Sequence, residues 1–446
     1  APMRVTDGRR SFFFLFFSMA ACARALAVVL VACGCCSLGG KGRRMCPAGG
    51  SGFSGAPLSE KGWLTALSDA HPELRSLRLS ELLLLGAHNA GSCGISADSE
   101  LSWEVGHAGR ALLALEARLR RSFCRRRCGC YVRRLWGPRG PVRRIVSAWG
   151  RCQNRSVFEQ LTVDNVRHLD IRLLFRVDSR KEELRWQGVG AGAEAPGEWI
   201  SCHSQFGASL AEILGDVRAF LEAPGQRNAR ELVILDLQCV HDGSGRHVSE
   251  AAAAGGLLAE VVESLGGTER LLRRAADLGA TTLGDVWDAG KNVILVVPAS
   301  LPVDARLDAW IWRRNRCIIA PFAEQPTWET MKPVLASYAE AASEATDRFF
   351  ILHAVICPGI SQIVPNVLSC NYLPCWPDLL RRGARLQPKL LAWLSDDAPP
   401  ELRRRANILL VDDASAAAGL LAWAAAQMLE RVRARGAQAA TEEAAT

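Results

Sequence analysis

The sequence predicts an α/β fold, a distorted TIM-type (β/α)8 barrel that forms a single domain. Short apolar runs recur along the chain, and several lack the alternation with polar residues that marks a strand with one wet face. Strands of a parallel sheet buried on both faces have this pattern. Amphipathic stretches such as SLAEILGDVRAFLEA lie between the runs and predict helices. A parallel barrel is the simplest architecture for this order, with an open, doubly wound α/β sheet as the alternative.

Eight apolar runs are the candidate strands of this barrel. In chain order they are LLLLGA from residue 82, VRHLDIRLLF from 166, WISC from 199, ELVILDL from 231, NVILVV from 292, RCIIAPF from 316, FFILHAV from 349 and NILLVD from 407. A stretch rich in Ala and Leu, from Ser415 to Arg435, follows the last run and predicts a closing helix.

The N-terminus is strongly apolar. Between Ser11 and Gly39 the only charged residue is Arg24. Read from Met19, the run has a short basic region, an apolar core and small residues after it, as a secretory signal does, and the whole run is long enough to cross a bilayer. We therefore expect a signal peptide or signal anchor, and a membrane-associated protein of the secretory pathway or cell surface.

The predicted domain boundaries follow from these patterns. Residues 1–45 form the hydrophobic segment, 46–60 a Gly-, Ser- and Pro-rich linker, 61–435 the single catalytic barrel, and 436–446 a polar tail. A basic insertion at 101–148 interrupts the barrel between its first two predicted strands.

Composition and charge narrow the choice of partners. With 49% hydrophobic and 22% charged residues, the chain can bury a large core. Part of the net charge of +8 lies in CRRRCGCYVRRLWGPRGPVRR, residues 124–144. This cluster is either a solvated loop or a patch for an anionic membrane surface, where each basic residue gains about 1 kcal/mol. No nucleic-acid partner is expected, because no helix-turn-helix, zinc-finger or stacking-aromatic pattern accompanies the charge.

The sixteen cysteines lack the paired CxxC spacing of a zinc site, so no metal–cysteine site is predicted. Lipidation or disulfide formation remains open for two groups of cysteines near the apolar run and in the basic cluster. These are Cys33, Cys35, Cys36, Cys124, Cys128 and Cys130.

Polar side chains stand at the carboxyl ends of the candidate strands, where the functional site of a parallel barrel forms. Two histidines, a carboxylate and an arginine at one mouth are the groups that acid–base cleavage of a phosphodiester requires. One imidazole removes a proton from the attacking hydroxyl, the other protonates the leaving oxygen, and the guanidinium binds the phosphate oxygens. The strand-end residues are His88, Asn89, Asp170, Arg172, His203, Asp236, Gln238 and Asp412.

Several segments, in chain order, resemble the X-region of phosphatidylinositol-specific phospholipases C, and most closely the trypanosome-type glycosylphosphatidylinositol phospholipases C. The resemblance runs from about Leu82 to Asp412 and is weaker between Thr282 and Arg405. The segments that carry it are GAHNAGSCGI, WGRCQNRSVFEQL, VRHLDIRLLF, SLAEILGDVRAFLEAP, ELVILDL and NILLVD.

The resemblance implies cleavage of phosphatidylinositol or a glycosylphosphatidylinositol between glycerol and phosphate, giving diacylglycerol and inositol 1,2-cyclic phosphate. His88 would be the base on the inositol 2-hydroxyl, and His203 the acid for the diacylglycerol leaving group. Asp412 would orient His88, and Arg172 would stabilise the phosphate charge.

The resemblance also implies which groups contact the substrate and which cofactor is needed. Gln153 matches a position that the trypanosome-type enzymes require. Arg172 stands where the calcium-dependent branch has a second carboxylate, so neither a metal ligand set nor any other cofactor is expected. The expected substrate-binding residues are Asn89, Gln153, Asp170, Asp236 and Gln238.

Two alternatives are a catalytically silent phosphoinositide-binding membrane protein on the same barrel, and a glycerophosphodiester phosphodiesterase. The presence of both histidines with Arg172 and Asp412 favours an enzyme over the first alternative. A glycerophosphodiester phosphodiesterase would require a metal-binding carboxylate pair near the first strands. The segments HNAG and DIR do not supply one.

Overall fold

The computed structural model of the protein describes residues 62–102, 141–177, 197–223, 230–242, 245–274, 277–359 and 378–445, and single residues between 104 and 118. The predicted hydrophobic segment and linker, and most of the basic insertion, lie outside the described residues. No helix in the described ranges combines the length and the apolar composition that a membrane span needs.

Helices follow most of the strands, as predicted. They are α1 (Trp63–Ala70), α2 (Pro141–Gly150), α3 (Val157–Thr162), α4 (Leu210–Glu222), α5 (Ala251–Ser264), α6 (Leu283–Asp288), α7 (Arg314–Cys317), α8 (Trp328–Ala336), α9 (Ala339–Ser343), α10 (Leu379–Asp396), α11 (Pro400–Arg405) and α12 (Ala418–Ala445). Short 3-10 turns lie at Pro72–Ser76, Leu79–Glu81, Ala90–Gly94, Thr268–Arg270, Asp308–Trp310 and Ala414–Ala416.

The strands form one sheet. They are β1 (Leu84–Ala87), β2 (His168–Val177), β3 (Gly197–His203), β4 (Gln205–Ser209), β5 (Val233–His241), β6 (Val293–Val297), β7 (Ile311–Arg313), β8 (Ile318–Ile319), β9 (Phe349–Ala354) and β10 (Ile408–Val411). Every residue of β1, β6, β9 and β10 is buried, which explains why these runs show no polar alternation.

Eight of the strands run parallel in the order β7-β6-β5-β2-β1-β10-β9-β8. Their carboxyl ends therefore meet at one edge, which we call the mouth, and their amino ends at the opposite edge, which we call the floor. This order of parallel strands, with helices between them, confirms the predicted α/β barrel-type fold.

One predicted barrel strand is wrong. The WISC run forms β3, which pairs antiparallel with β2 and continues into β4 as a hairpin outside the parallel set. The missing parallel strand is β7, whose three residues are too few to give a sequence signal. β3 lies outside the parallel set because β2 is long. The ten residues of β2 extend past the mouth, and β3 pairs with this extension, where Leu173 lies opposite Ser201.

A buried ion pair lies at the floor. Arg167 donates from Nε to Glu231 Oε2 at 2.6 Å, and both side chains are almost completely buried. The other carboxylate oxygen of Glu231 accepts from the backbone N–H and the hydroxyl of Thr65, at 3.0 and 2.9 Å. Since Thr65 lies in α1, this pair joins the first helix to the barrel.

The closing helix α12 begins three residues later than predicted and continues to Ala445. Arg431 attaches it to the floor, because its guanidinium donates to four backbone carbonyl groups near the amino ends of the strands. These belong to Glu81, Leu82, Arg403 and Ala406.

Candidate active site

His88 and Asp412 form a buried pair at the centre of the mouth. His88 directly follows β1 and Asp412 directly follows β10, which is the parallel neighbour of β1. Nδ1 of His88 lies 2.8 Å from Oδ1 of Asp412, and both residues are at most 5% exposed. A carboxylate can only accept, so it fixes the proton of the neutral ring on Nδ1.

The second ring nitrogen of His88 accepts hydrogen bonds from two neighbouring side chains. Arg172 donates from Nη2 to Nε2 of His88 at 3.1 Å, and the side-chain amide of Asn89 donates to the same atom at 3.2 Å. A guanidinium has no acceptor, so Nε2 must be the acceptor in this contact. The ring is therefore held as the tautomer that can take up a proton at Nε2.

Arg172 is held on three sides and remains charged. Its Nε donates to Gln238 Oε1 at 2.9 Å, and its Nη2 lies 3.7 Å from Oδ2 of Asp170. Burial lowers the pKa of Arg172, but the attraction of Asp170 and, more weakly, of other acidic groups nearby together outweigh burial and keep that pKa above its usual value. A fixed, charged guanidinium beside His88 is suited to a phosphate group.

His203 lies at the mouth although its strand, β3, is not one of the eight parallel strands. It ends β3, which runs back from the extension of β2 toward the mouth. Its ring centroid lies 6.0 Å from that of His88, with the ring planes inclined at 72°. Nδ1 of His203 lies 2.8 Å from the carbonyl oxygen of Gly150, so Nδ1 carries a proton and donates it to that oxygen.

Burial shifts the pKa values of the His88–Asp412 pair in opposite directions. Burial, followed by the charge of Arg172, lowers the pKa of His88 well below its ordinary value. Burial raises the pKa of Asp412 to about 7. Both shifts disfavour charge on the isolated groups, and the hydrogen bond between them stabilises neutral His88 beside the carboxylate.

The residues that follow His88, His203 and Asp412 have left-handed backbone conformations, although none of them is glycine. Asn89 has φ 46°, Ser204 φ 64° and Asp413 φ 51°. Such backbone conformations cost of order 1–3 kcal/mol and are retained where surrounding contacts fix them. Here they turn the chain immediately after His88, His203 and Asp412, so each of these residues stands at the point where its strand ends.

Gln153 holds the backbone around the His88–Asp412 pair in place. Its Nε2 donates to the carbonyls of His88 and Val411 at 3.0 and 2.9 Å, and its Oε1 accepts from the N–H of Ala414 at 3.0 Å. The side chain thus connects the chain after β1 with the chain after β10. Its predicted contact with substrate stays a prediction.

Asp170 and Asn89 line the mouth beside His88. Asp170 Oδ2 accepts from the backbone N–H of Asn89 at 3.4 Å and lies 3.9 Å from Nε2 of His88. Oδ1 of Asp170 and Oδ1 of Asn89 are buried and have no hydrogen-bond partner among the described residues. Unpaired polar atoms of this kind are available to a polar ligand.

Asp236 belongs to a second polar group on the far side of the mouth. Its two carboxylate oxygens accept from Nε of Arg314 at 3.1 and 3.2 Å, and Oδ2 lies 3.4 Å from Nε2 of His168. Burial raises the pKa of Asp236, but Arg314 and His168 outweigh it and hold that pKa below the ordinary value. Gly86 leaves room for this arrangement, since a Cβ there would lie 3.0 Å from Nδ1 of His168.

Cys152 lies between the two histidines. Its Sγ is 3.5 Å from Nδ1 of His203 and 3.6 Å from the amide nitrogen of Asn89. Burial raises the pKa of this thiol well above its ordinary value, so it is protonated. Within the described residues, His88, Cys152 and Asp412 place ligand atoms within 4.8 Å of one another. A metal ion there would compete with the His88–Asp412 hydrogen bond, and the absence of a metal role stays a prediction.

The structure thus brings the predicted His88, Arg172, His203 and Asp412 together, with the predicted Asn89, Asp170 and Gln238 beside them. Sequence reasoning missed other polar residues of the site and of the structure that supports it. A charged residue after the short run IWR was the only signal for Arg314. Cys152 lies in the WGRCQN segment, where only Gln153 was singled out, and the other three sit in ordinary strand or helix patterns. The missed residues are Cys152, His168, Arg314, His353 and Gln387.

Comparison with known proteins confirms the predicted resemblance. The chain is 25% identical over 352 residues to variant-surface-glycoprotein phospholipase C of Trypanosoma brucei brucei, covering 77% of this chain and 83% of that protein. It is 23% identical over 366 residues to the protein of the same name from Trypanosoma cruzi, covering 76% and 78%.

A solved structure of a mutant phosphatidylinositol-specific phospholipase C from Staphylococcus aureus is also similar. It superposes with a TM-score of 0.42 at 12% identity, covering 78% of this chain and 93% of that chain. No protein-family model matches the sequence.

Proposed function

We propose that this chain is a phospholipase C that cleaves phosphatidylinositol or a glycosylphosphatidylinositol between glycerol and phosphate. The observation that carries the proposal is the contact chain Asp412–His88–Arg172, with the ring of His203 centred 6.0 Å from that of His88. Two relatives over three quarters of the chain are named phospholipases C, which supports this reaction class.

His88 is the base. Its Nε2 takes the proton of the inositol 2-hydroxyl while that oxygen attacks the phosphorus, and Asp412 stabilises the imidazolium that forms. Arg172 would move from Nε2 of His88 to the phosphate oxygens when substrate enters, since both contacts use the same Nη2 atom. Its Nε contact with Gln238 anchors the guanidinium during this exchange.

His203 is the acid. The glycerol oxygen leaves phosphorus as the 2-oxygen bonds to it, and a doubly protonated His203 donates a proton from Nε2 to that leaving oxygen. The hydrogen bond from Nδ1 to Gly150 holds the ring in this orientation. The products are diacylglycerol and inositol 1,2-cyclic phosphate, so the step needs no water and no redox partner.

The inositol ring binds on the far side of the mouth. Arg314 Nη2 is buried and has no hydrogen-bond partner among the described residues, and the same holds for both ring nitrogens of His353. Together with Oδ1 of Asp170, these atoms offer donors and acceptors to the ring hydroxyls. Arg314 is already neutralised by Asp236, which favours a neutral polyol over a further phosphate.

Incubating the purified protein with phosphatidylinositol and with a glycosylphosphatidylinositol tests this function. Diacylglycerol should appear from at least one lipid, and excess chelator should leave the rate unchanged, because Arg172 supplies the positive charge at the phosphate. Loss of turnover in chelator that calcium alone restores would contradict the metal-independent mechanism. Release of phosphatidic acid would mean cleavage between phosphate and inositol instead of between glycerol and phosphate, and would contradict the proposed function.

The mouth works against a membrane surface, because the scissile bond lies at the headgroup boundary. Helix α2 stands at the mouth, since its last residue Gly150 bonds His203, and it presents half-buried Ile145, Val146 and Trp149. Phe322, 40% exposed, packs on His353 at a ring-centroid distance of 5.2 Å. Apolar side chains at the rim and the basic cluster, which runs into the start of α2, both favour contact with acidic lipid.

Charge reversal in the basic cluster should release the protein from acidic vesicles. A form lacking residues 1–45 should sediment with such vesicles at low salt and leave them at high salt, because exposed charges are screened over about 8 Å at physiological ionic strength. Changing Arg125, Arg126 and Arg127 to Glu should abolish this binding while cleavage of a soluble substrate analogue persists.

The matched control places the same charge change at the floor, with Lys291, Arg348 and Arg404 replaced by Glu. That variant should bind acidic vesicles like the parent in the co-sedimentation assay. Equal binding by the cluster variant and the parent would mean that the basic cluster is only a solvated loop.

A further inference from the structure

The backbone that carries Asp412 is held by a side chain from α10. Gln387 lies in the middle of that helix and is 4% exposed. Its Nε2 donates to the carbonyl oxygens of Asp412 at 2.9 Å and Asp413 at 2.8 Å. Both amide hydrogens are therefore used on the two residues that place the carboxylate.

The same turn is held from its other side. Gln153 bonds the carbonyl of Val411 and the N–H of Ala414, and the carbonyl of Cys152 accepts from the N–H of Asp413 at 2.8 Å. These contacts and those of Gln387 fix the backbone on both flanks of Asp412. Because Asp413 is left-handed, the turn would otherwise tend to relax toward a commoner conformation.

Gly383, one turn before Gln387 on α10, sets the distance between helix and turn. A Cβ at Gly383 would lie 2.7 Å from Cβ of Asp412 and 2.8 Å from its carbonyl oxygen. Side chains do not approach this closely, so any other residue there must displace either α10 or Asp412. The helix backbone and the turn are thus in direct contact beneath the base.

We propose that Gln387 and Gly383 are positioning residues for the base, acting on His88 through Asp412. The inference rests on the proposed function, in which Asp412 must hold the proton of His88 on Nδ1. The contacts of both residues are with the chain that carries Asp412. Their effect is on the 2.8 Å Nδ1–Oδ1 distance, and displacements of about 1 Å at a catalytic group can cost on the order of 10²-fold in rate.

The test uses Gln387→Met, which keeps the side-chain length but removes both donors, and Gly383→Ala, which adds the Cβ. In each, kcat for inositol-lipid cleavage should fall by about 10- to 100-fold with KM near the parent value, since substrate contacts are intact. The proton on Nδ1 of His88 should also move or broaden in the downfield proton NMR spectrum, where its signal is assigned by its loss in His88→Ala.

Two controls separate positioning from general destabilisation. Gly215→Ala makes the same change in α4, where a Cβ meets nothing within 4 Å. Asn407→Leu removes a buried amide that donates to the carbonyls of Ser80 and Leu82 at the floor. Both controls should keep the parent kcat and the parent resonance, even if Asn407→Leu lowers the melting temperature.

The outcomes are distinguishable. Gln387→Met or Gly383→Ala with the parent kcat and an unmoved resonance would overturn the positioning role, as would an equal loss of kcat in Asn407→Leu. If the parent itself cleaves no inositol lipid, the proposed function fails. The resonance in the same variants then still decides whether α10 holds the His88–Asp412 pair.

Discussion

Alanine in place of His88 is expected to lower kcat for inositol-lipid cleavage by about 10²- to 10⁴-fold or more, and alanine in place of His203 should do the same. Each variant lacks one of the two proton transfers, so neither histidine can replace the other. Steady-state kinetics on phosphatidylinositol, with circular dichroism to verify folding, gives the measurement.

His71→Ala is the matched control for these histidine variants. His71 lies on the surface between α1 and the turn that follows, where its contact is Glu73, and its loss should leave kcat unchanged. Full activity in a folded His88→Ala or His203→Ala variant would overturn the acid–base assignment.

Asparagine in place of Asp412 should separate activity from stability. The amide cannot stabilise the imidazolium or fix the tautomer of His88, so kcat should fall by about 10³- to 10⁴-fold. In the parent, kcat should fall as the pH drops through about 7, because Asp412 then gains a proton and loses its charge.

Whereas the Asp412→Asn substitution should lower kcat, it should raise the free energy of unfolding at high pH. The pKa of Asp412 in the folded protein, about 7, is above its ordinary 3.8, so the stabilisation linked to the protonated form is complete below pH 3.8 and is lost as the pH rises through 7. Asparagine does not ionise and avoids this loss. Urea unfolding should show Asp412→Asn more stable at pH 8, by up to about 4 kcal/mol, with the difference growing between pH 4 and 7. A parent more stable than the variant at pH 8 would contradict the burial cost assigned to the carboxylate.

The sequence predicted the parallel strands well because burial on both faces leaves a plain signal. The run VILVV, for example, contains no polar residue and forms the fully buried strand β6. The same logic located His88 and Asp412, since each directly follows such a run. The barrel-type fold and the two strand-end residues could therefore be predicted from local pattern, whereas their pairing was implied by the resemblance.

The parts that could not be predicted depend on tertiary geometry. The WISC run has strand composition, but its antiparallel direction is set by the extension of β2, which no local pattern reveals. The strand that precedes Arg314 has three residues, and a run this short gives no period. Gln387 lies in a helix of ordinary amphipathic pattern, LLRRGARLQPKLLAWLSD, so its contact with the turn after β10 appears only in three dimensions.

Isotope labelling of the first product tests the central claim, intramolecular attack on phosphorus by the inositol 2-hydroxyl, most directly. Phosphatidylinositol is cleaved in water enriched in oxygen-18, and the earliest inositol product is analysed by mass spectrometry. Attack by the 2-hydroxyl predicts inositol 1,2-cyclic phosphate without label, because no solvent oxygen bonds to phosphorus in that step. Inositol 1-phosphate carrying one solvent oxygen as the first product, with no cyclic precursor, would contradict it.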